Sequence, residues 1–223
     1  MTPGLPDGAV VGTDPDHDCP FCPRLVAFRE TWRAREPDWF NGPVPSFLPR
    51  GGAGAARLLI VGLAPGLRGA NKSGRPFTGD YAGDLLYETL DAYGFSRGTF
   101  RARPDDGLEL VGAAITNAVR CVPPENKPTG PEIKACRPFL VNTLGSMENL
   151  SAILALGRVA HETVLTTLDK RRAAHPFSHG GVHDLGRYTL FDSYHCSRYN
   201  TNTGRLTPEM FRDVFDKIAA HLG

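Results

Sequence analysis

The sequence predicts an α/β fold: three layers, with helices on both faces of a central four-stranded parallel sheet. Short apolar runs rich in branched residues fall at 57–61, 108–115, 152–157 and 188–191, the pattern of buried strands. The segments after them carry apolar residues at helical spacing, and strands alternating with helices favour a parallel sheet covered on both sides. Three of the four runs also end in polar loops, at 62–80, 116–121 and 192–205. A parallel sheet brings such loops to one edge, where α/β folds bind ligands.

Taken in order, residues 1–18 are expected to form a flexible arm, rich in Pro, Gly and Asp, ahead of a single domain at 19–223. Arg24 to Arg35 places Leu25, Val26, Phe28 and Trp32 at helical spacing and should stop before Pro37. Residues 37–54, with four prolines and four glycines, read as an extended surface loop. Strand 57–61 leads through the long loop 62–80 to a helix near 82–93. Strand 108–115 delivers Thr116-Asn117-Ala118-Val119-Arg120-Cys121, and Pro131 suits the first turn of a helix near 132–147. Strand 152–157 ends in glycine and runs into helix 158–168, while strand 188–191 delivers Asp192-Ser193-Tyr194-His195. Thr207 and Pro208 open the last helix, about 208–221, as N-cap and first residue.

A chain of 223 residues is long enough to bury a sizeable core. The net charge of +1 excludes a strongly basic body, although a local stripe of cations is enough to engage phosphates. No apolar run reaches the length of a membrane span, and the start lacks the basic-then-apolar order of a secretory signal. A cytoplasmic location is the expectation. Five cysteines argue against a disulfide framework.

Four of them form a set. Cys19 and Cys22 have the C-x-x-C spacing that brings two thiolates to one metal centre, and Cys121 and Cys136 follow later. Spacing leaves zinc and an iron–sulfur cluster both open, and buried core cysteines remain the plain alternative. Either centre would clamp the N-terminal region to the loop after the second strand. Cys196 reads as a packing residue. The histidines at 17, 161, 175, 179, 183 and 221 form no assignable pattern.

Together these pieces resemble the uracil-DNA glycosylase superfamily, and most of all its iron–sulfur-containing family 5, the B type. The likeness rests on Gly62-Leu63-Ala64-Pro65-Gly66, on Asn71 to Asp80, on Thr116 to Cys121, on Tyr194 to Thr207 and on the four-cysteine layout. It implies a uracil-DNA glycosylase-like fold and a structural [4Fe-4S] cluster on Cys19, Cys22, Cys121 and Cys136. It also implies hydrolysis of the N-glycosidic bond of uracil in DNA, with other deaminated bases such as hypoxanthine as further substrates. The product would be an abasic site in base excision repair. The partner is then damaged DNA, with no membrane and no nucleotide cofactor, and the protein is expected to work as a monomer.

A glycosylase must flip its nucleotide out of the stack, then stabilise a departing base anion and a cationic sugar. Asp80 suits the sugar or an attacking water, though Asp at this place also suits a helix N-cap. Superfamily relatives mostly carry a polar water-activating residue just after the first strand. Ala64-Pro65-Gly66 has none here, which agrees with the B type and moves that burden to Asp80. His195 suits hydrogen bonding to the leaving base, Asn117 suits reading its edge, and Phe77 suits stacking on it. Backbone groups of Gly62 and Leu63 would complete the substrate pocket. Arg198, Tyr199 and Arg205 lie in what the resemblance makes the DNA-intercalation loop, and Arg75 is a further candidate phosphate contact. A non-catalytic nucleic-acid-binding module, stabilised by a cluster or zinc, is the alternative reading. A phosphate-binding Rossmann-like enzyme is a third, but neither G-x-G-x-x-G nor G-x-x-x-x-G-K-[ST] occurs in the loop.

Overall fold

Each expected helix forms, as do three of the four expected strands, and several short elements join them. The computed structural model describes residues 12–223. In chain order the elements are α1 (Pro23–Arg35), β1 (Leu58–Gly62), α2 (Ala70–Ser73), α3 (Tyr81–Ala92), β2 (Ser96–Arg97) and β3 (Glu109–Leu110). There follow β4 (Ala113–Asn117), α4 (Gly130–Gly145), β5 (Ala152–Leu156) and α5 (Arg158–Thr167). The chain ends with β6 (Val182–Asp184), β7 (Thr189–Ser193), α6 (Arg198–Asn202) and α7 (Pro208–Leu222).

The central sheet has the order β4-β1-β5-β7-β6. Its first four strands are parallel, as the alternating pattern predicts, and β6 adds a fifth, antiparallel strand at the edge. Side chains of β1 alternate across the sheet with the period of two that strands impose. Leu58 and Ile60 pack with Leu86 and Leu90 of α3 and with Phe211, Phe215 and Ile218 of α7. Leu59 and Val61 pack with Leu140 and Leu144 of α4 and with Val164 of α5 on the other face. This is the three-layer arrangement.

The expected strand 108–115 is divided. Gly112 takes a positive φ of 62° and turns the chain, so β3 leaves to pair antiparallel with β2 while β4 joins the main sheet. Thr116 and Asn117, expected just beyond the strand, are its last two residues and stand in register with Val61 and Gly62. The chain leaves β1 toward β4 on one side and β5 toward β7 on the other. The ends of β1 and β5 therefore flank the topological switch point, where such sheets hold ligands.

Of the expected arm, residues 1–11 lie outside the described residues. Asp14 accepts a hydrogen bond from the fully buried guanidinium of Arg120 at 2.6 Å, and Arg33 reaches Asp18 at 2.6 Å. Those bonds tie the segment to the domain. Among the described residues no helix is long and apolar enough to cross a membrane.

Candidate active site

A cleft of about 760 Å³ opens at the carboxyl edge of the sheet, and Leu63, Phe77, Asp80, Asn117, His195 and Arg198 all line it. Three loops distant in sequence meet there. Gly62, by contrast, is buried beneath the floor. A Cβ at that position would lie 2.7 Å from the Phe77 ring and closer still to Asn117 Oδ1. Its part is to make room, not to supply the substrate contact the sequence suggests.

Asn117 is only 3% exposed, and its Oδ1 has no hydrogen-bond partner among the described residues. Leaving a buried acceptor unpaired costs about 1–3 kcal/mol, a cost that a ligand donor would remove. Phe77 is buried with φ at 52°, a left-handed backbone unusual for a bulky residue. The Tyr87 hydroxyl donates to the Pro76 carbonyl at 2.7 Å, and Gly83 leaves space for the Phe77 carbonyl at the start of α3. The Phe77 ring stacks on His195 with centroids 5.8 Å apart and planes at 28°.

Asp80 is at once an N-cap and a cleft residue. Its carboxylate accepts from the Gly83 N–H at 3.3 Å, and it faces the loop glycines 66 and 69. Burial raises its pKa above 3.8, while the first N–H groups of α3 pull the other way. His195 follows β7. Burial lowers its pKa to about 4, so the ring is neutral at physiological pH, and its buried Nδ1 has no partner among the described residues. Asn200 holds the His195 carbonyl at 2.8 Å.

A carboxylate, a neutral imidazole, an unpaired amide and an aromatic face around one cleft suit cleavage of a flipped nucleoside. The profile of the uracil DNA glycosylase superfamily matches residues 48–219. Similar proteins include the type-5 uracil-DNA glycosylase of Thermus thermophilus, 47% identical, with 88% of this chain and 90% of the relative covered. The type-5 uracil-DNA glycosylase of Pyrobaculum aerophilum is 39% identical, with 92% and 90% covered. That of Mycobacterium leprae is 42% identical, with 88% of both chains covered. The chain belongs to the uracil-DNA glycosylase superfamily. Within it the likeness is to the type-5 branch, and the protein is a DNA glycosylase.

In this glycosylase the expected intercalation loop folds as the short helix α6, capped by Ser197, whose hydroxyl accepts from the Asn200 N–H at 3.5 Å. Tyr199 is 71% exposed on it. Arg198 lies 5.4 Å over the Tyr81 ring at the cleft mouth, and Arg205 lies 4.6 Å over Tyr194. Tyr81, Ser197 and Asn126 also line the cleft, and sequence reasoning singled out none of them. The adjoining Pro-Pro-Glu-Asn turn, where Glu125 and Asn126 both take positive φ, is the signal that could have found Asn126.

Arg75 is a correction. It is 6% exposed and donates to both Asp106 oxygens at 2.7 Å, with Nε on Thr78 Oγ1 at 2.8 Å. The guanidinium lies 5.3–5.7 Å from the rings of Phe47, Tyr87 and Phe100. With every donor face occupied it braces the long loop from inside and offers nothing to a phosphate. Cys196 is fully buried in the core, as expected of a packing residue.

Cys19, Cys22, Cys121 and Cys136 line one small pocket beside Leu25, Val119 and Phe139. Burial first, then the neighbouring thiols, pushes Cys22 and Cys121 up to about 12. Four neighbouring thiols whose pKa values burial raises fit a cationic centre that would draw them into thiolates. Among the described residues no three of them lie mutually within 4.8 Å, whereas a single zinc ion would hold its sulfurs about 3.8 Å apart, given Zn–S bonds near 2.3 Å.

Two variants test these assignments. A Cβ at residue 69 would lie 2.5 Å from Asp80 Oδ2, so Gly69→Ala should displace the carboxylate. Uracil excision is expected to fall about tenfold or more, with only about 1 kcal/mol lost from urea unfolding through the weakened cap. Arg75→Met leaves Asp106 buried and unpaired, and should cost about 3–5 kcal/mol in the same unfolding experiment. DNA affinity of the folded fraction should stay at the wild-type value.

Proposed function

We propose that this glycosylase flips uracil, and other deaminated bases such as hypoxanthine, out of DNA and hydrolyses the N-glycosidic bond. It leaves an abasic site for base excision repair, working as a monomer in the cytoplasm. One observation carries this reading: Asp80, Asn117, His195 and Phe77 converge on one cleft, with Asn117 Oδ1 and His195 Nδ1 unpaired.

The flipped base stacks on Phe77, and the Asn117 amide offers a donor and an acceptor to its edge. As the bond breaks, negative charge gathers on the base oxygens. A neutral imidazole can then donate its ring N–H without neutralising the leaving anion early. Asp80, a carboxylate above its raised pKa, supplies the negative charge that the cationic sugar and the attacking water both require. Water adds to the sugar carbon, its proton is taken up within the site, and the base departs with the bonding pair. No lysine lines the cleft among the described residues, which agrees with hydrolysis and not a Schiff-base route. Arg198, Tyr199 and Arg205 on and beside α6 would grip the backbone and fill the vacated stack.

The four cysteines would hold a [4Fe-4S] cluster, whose contribution when bound is a structural cross-link between the N-terminal region and α4. Protein purified without oxygen should be brown and carry iron with labile sulfide; a colourless protein with one zinc per chain would refute the cluster.

The activity test uses duplexes bearing one uracil or one hypoxanthine, with alkaline cleavage of any abasic site. Strand breakage with both bases is expected, and intact strands with both would refute the function. Asp80→Asn should slow single-turnover excision by about 10²-fold or more while sparing DNA affinity. On the acid side the wild-type rate should fall. Asp80 protonates as pH drops through its raised pKa, and His195 gains its charge only near pH 4. A rate that holds steady down to pH 4 would remove Asp80 from the chemistry.

A further inference from the structure

Behind the cleft lies a second polar cluster that the sequence does not reveal. His161 of α5 and Asp192 of β7 are essentially inaccessible, and His183 of β6 is 12% exposed. His161 Nδ1 meets Asp192 Oδ1 at 2.7 Å, and His183 Nε2 meets the other oxygen, Oδ2, at 2.9 Å. The remaining His161 nitrogen, Nε2, lies 2.8 Å from the His175 carbonyl.

A carbonyl can only accept, so Nε2 carries a hydrogen. Nδ1 then faces a carboxylate oxygen, and two acceptors at 2.7 Å require a positive centre between them. A tetrahedral metal with bonds near 2.0–2.2 Å would space its ligands about 3.3–3.5 Å apart. The observed separations are hydrogen-bond lengths. A proton fits, and a metal ion does not.

We propose that His161, Asp192 and His183 form a proton-held clamp that positions the His195 loop for excision. Asp192 stands three residues before His195, on the strand that delivers it. The segment 175–183 is fastened over it, with the Gly180 N–H donating to the Asp192 carbonyl at 2.9 Å and the Asp192 N–H donating to the Gly181 carbonyl at 3.0 Å. The same segment holds Tyr194, the residue next to His195. His179 Nδ1 accepts the Tyr194 N–H at 3.2 Å and stacks on its ring at 5.0 Å, and Phe177 packs 6.2 Å away. Losing the proton would set a lone pair against a carboxylate in a buried site, and the segment that holds Tyr194 would loosen. The three are positioning residues, since none lines the cleft.

The groups facing His161 are Asp192 of β7, His183 of β6, the His175 carbonyl and the Phe177 ring. Glu162, on its own helix, is paired with Arg172. Burial disfavours the His161 charge, but the Asp192 carboxylate outweighs it and the pKa is raised above 6.5. The clamp is therefore closed below that raised value and opens as pH rises through it. Asp80 and His195 titrate on the acid side, so an alkaline decline belongs to the clamp.

The inference rests on the glycosylase reading of His195, so its test has an arm that does not. Long-range proton–nitrogen spectra of the wild-type protein at pH 7.5 should show one imidazole protonated on both nitrogens and lost in His161→Gln. Single-turnover excision of uracil by the wild type should decline at alkaline pH with the dependence of one proton. His161→Gln should lower the neutral-pH rate about tenfold and abolish that decline, with DNA affinity within about twofold. His183→Ala should lose rate, and His183→Gln, which restores an N–H donor to Asp192, should recover most of it. A singly protonated His161 at pH 7.5, stoichiometric bound zinc, or a His161→Gln rate equal to wild type at every pH would each overturn the clamp. Failure of the wild type to excise uracil would overturn the glycosylase reading and leave the spectroscopic result standing.

Discussion

The site depends on one pairing, Gly62 opposite Asn117 at the ends of β1 and β4. That register carries the Asn117 amide to the sheet edge, and only a glycine on the neighbouring strand leaves space for both the amide and the Phe77 ring. Any side chain at residue 62 would push one of them away. The long loop, the floor of the cleft and the approach of His195 to Phe77 all build outward from this contact. A slip of β4 by one residue in its register with β1 would turn Asn117 to the opposite face.

Much of this was legible in the sequence because the signals are local. Strands β1 and β5 are continuous apolar runs, and Thr207-Pro208 marks the start of α7 with a cap and a ring that fixes φ. Convergence of Asn117 and His195 followed from parallel topology, since both stand at a strand end or just beyond, and Asp80 joins them at the far end of the long loop that leaves β1. The misreadings concern long-range partners. Arg75 looks like any loop cation until Asp106, 31 residues later, is seen to occupy it. Gly112 looks like one residue of a strand, yet its left-handed backbone splits that strand in two. The clamp around Asp192 was illegible for the same reason, because His161 and His183 share no periodicity and meet only across the sheet edge.

The buried polar groups at and behind the cleft fall into two kinds with different energetic roles. Arg75, Arg120, His161 and Asp192 are buried with most of their hydrogen-bonding capacity met, and removing one partner leaves the other uncompensated. Asn117 Oδ1 and His195 Nδ1 are buried and unmet. The first kind holds the frame rigid enough to carry the second, whose unmet capacity favours a ligand over the empty cleft. The stabilising network lies at β7 and inside the long loop, immediately behind the residues that carry the unpaired groups.

Asp80 belongs to neither kind, and that accounts for its position. As an N-cap it is held by the first turn of α3, whose N–H groups favour the carboxylate form. Burial opposes that charge and prevails, so the pKa is raised above the ordinary carboxylate value while the cap limits the rise. A carboxylate in bulk water would exert a weak, screened field on a sugar cation. A fully buried one without a cap would protonate and lose its field altogether. Placing the aspartate at a helix start, under two loop glycines and beside a water-excluding ring, keeps the charge and strengthens its reach. The structural role of the cap is thereby the condition for the chemical one.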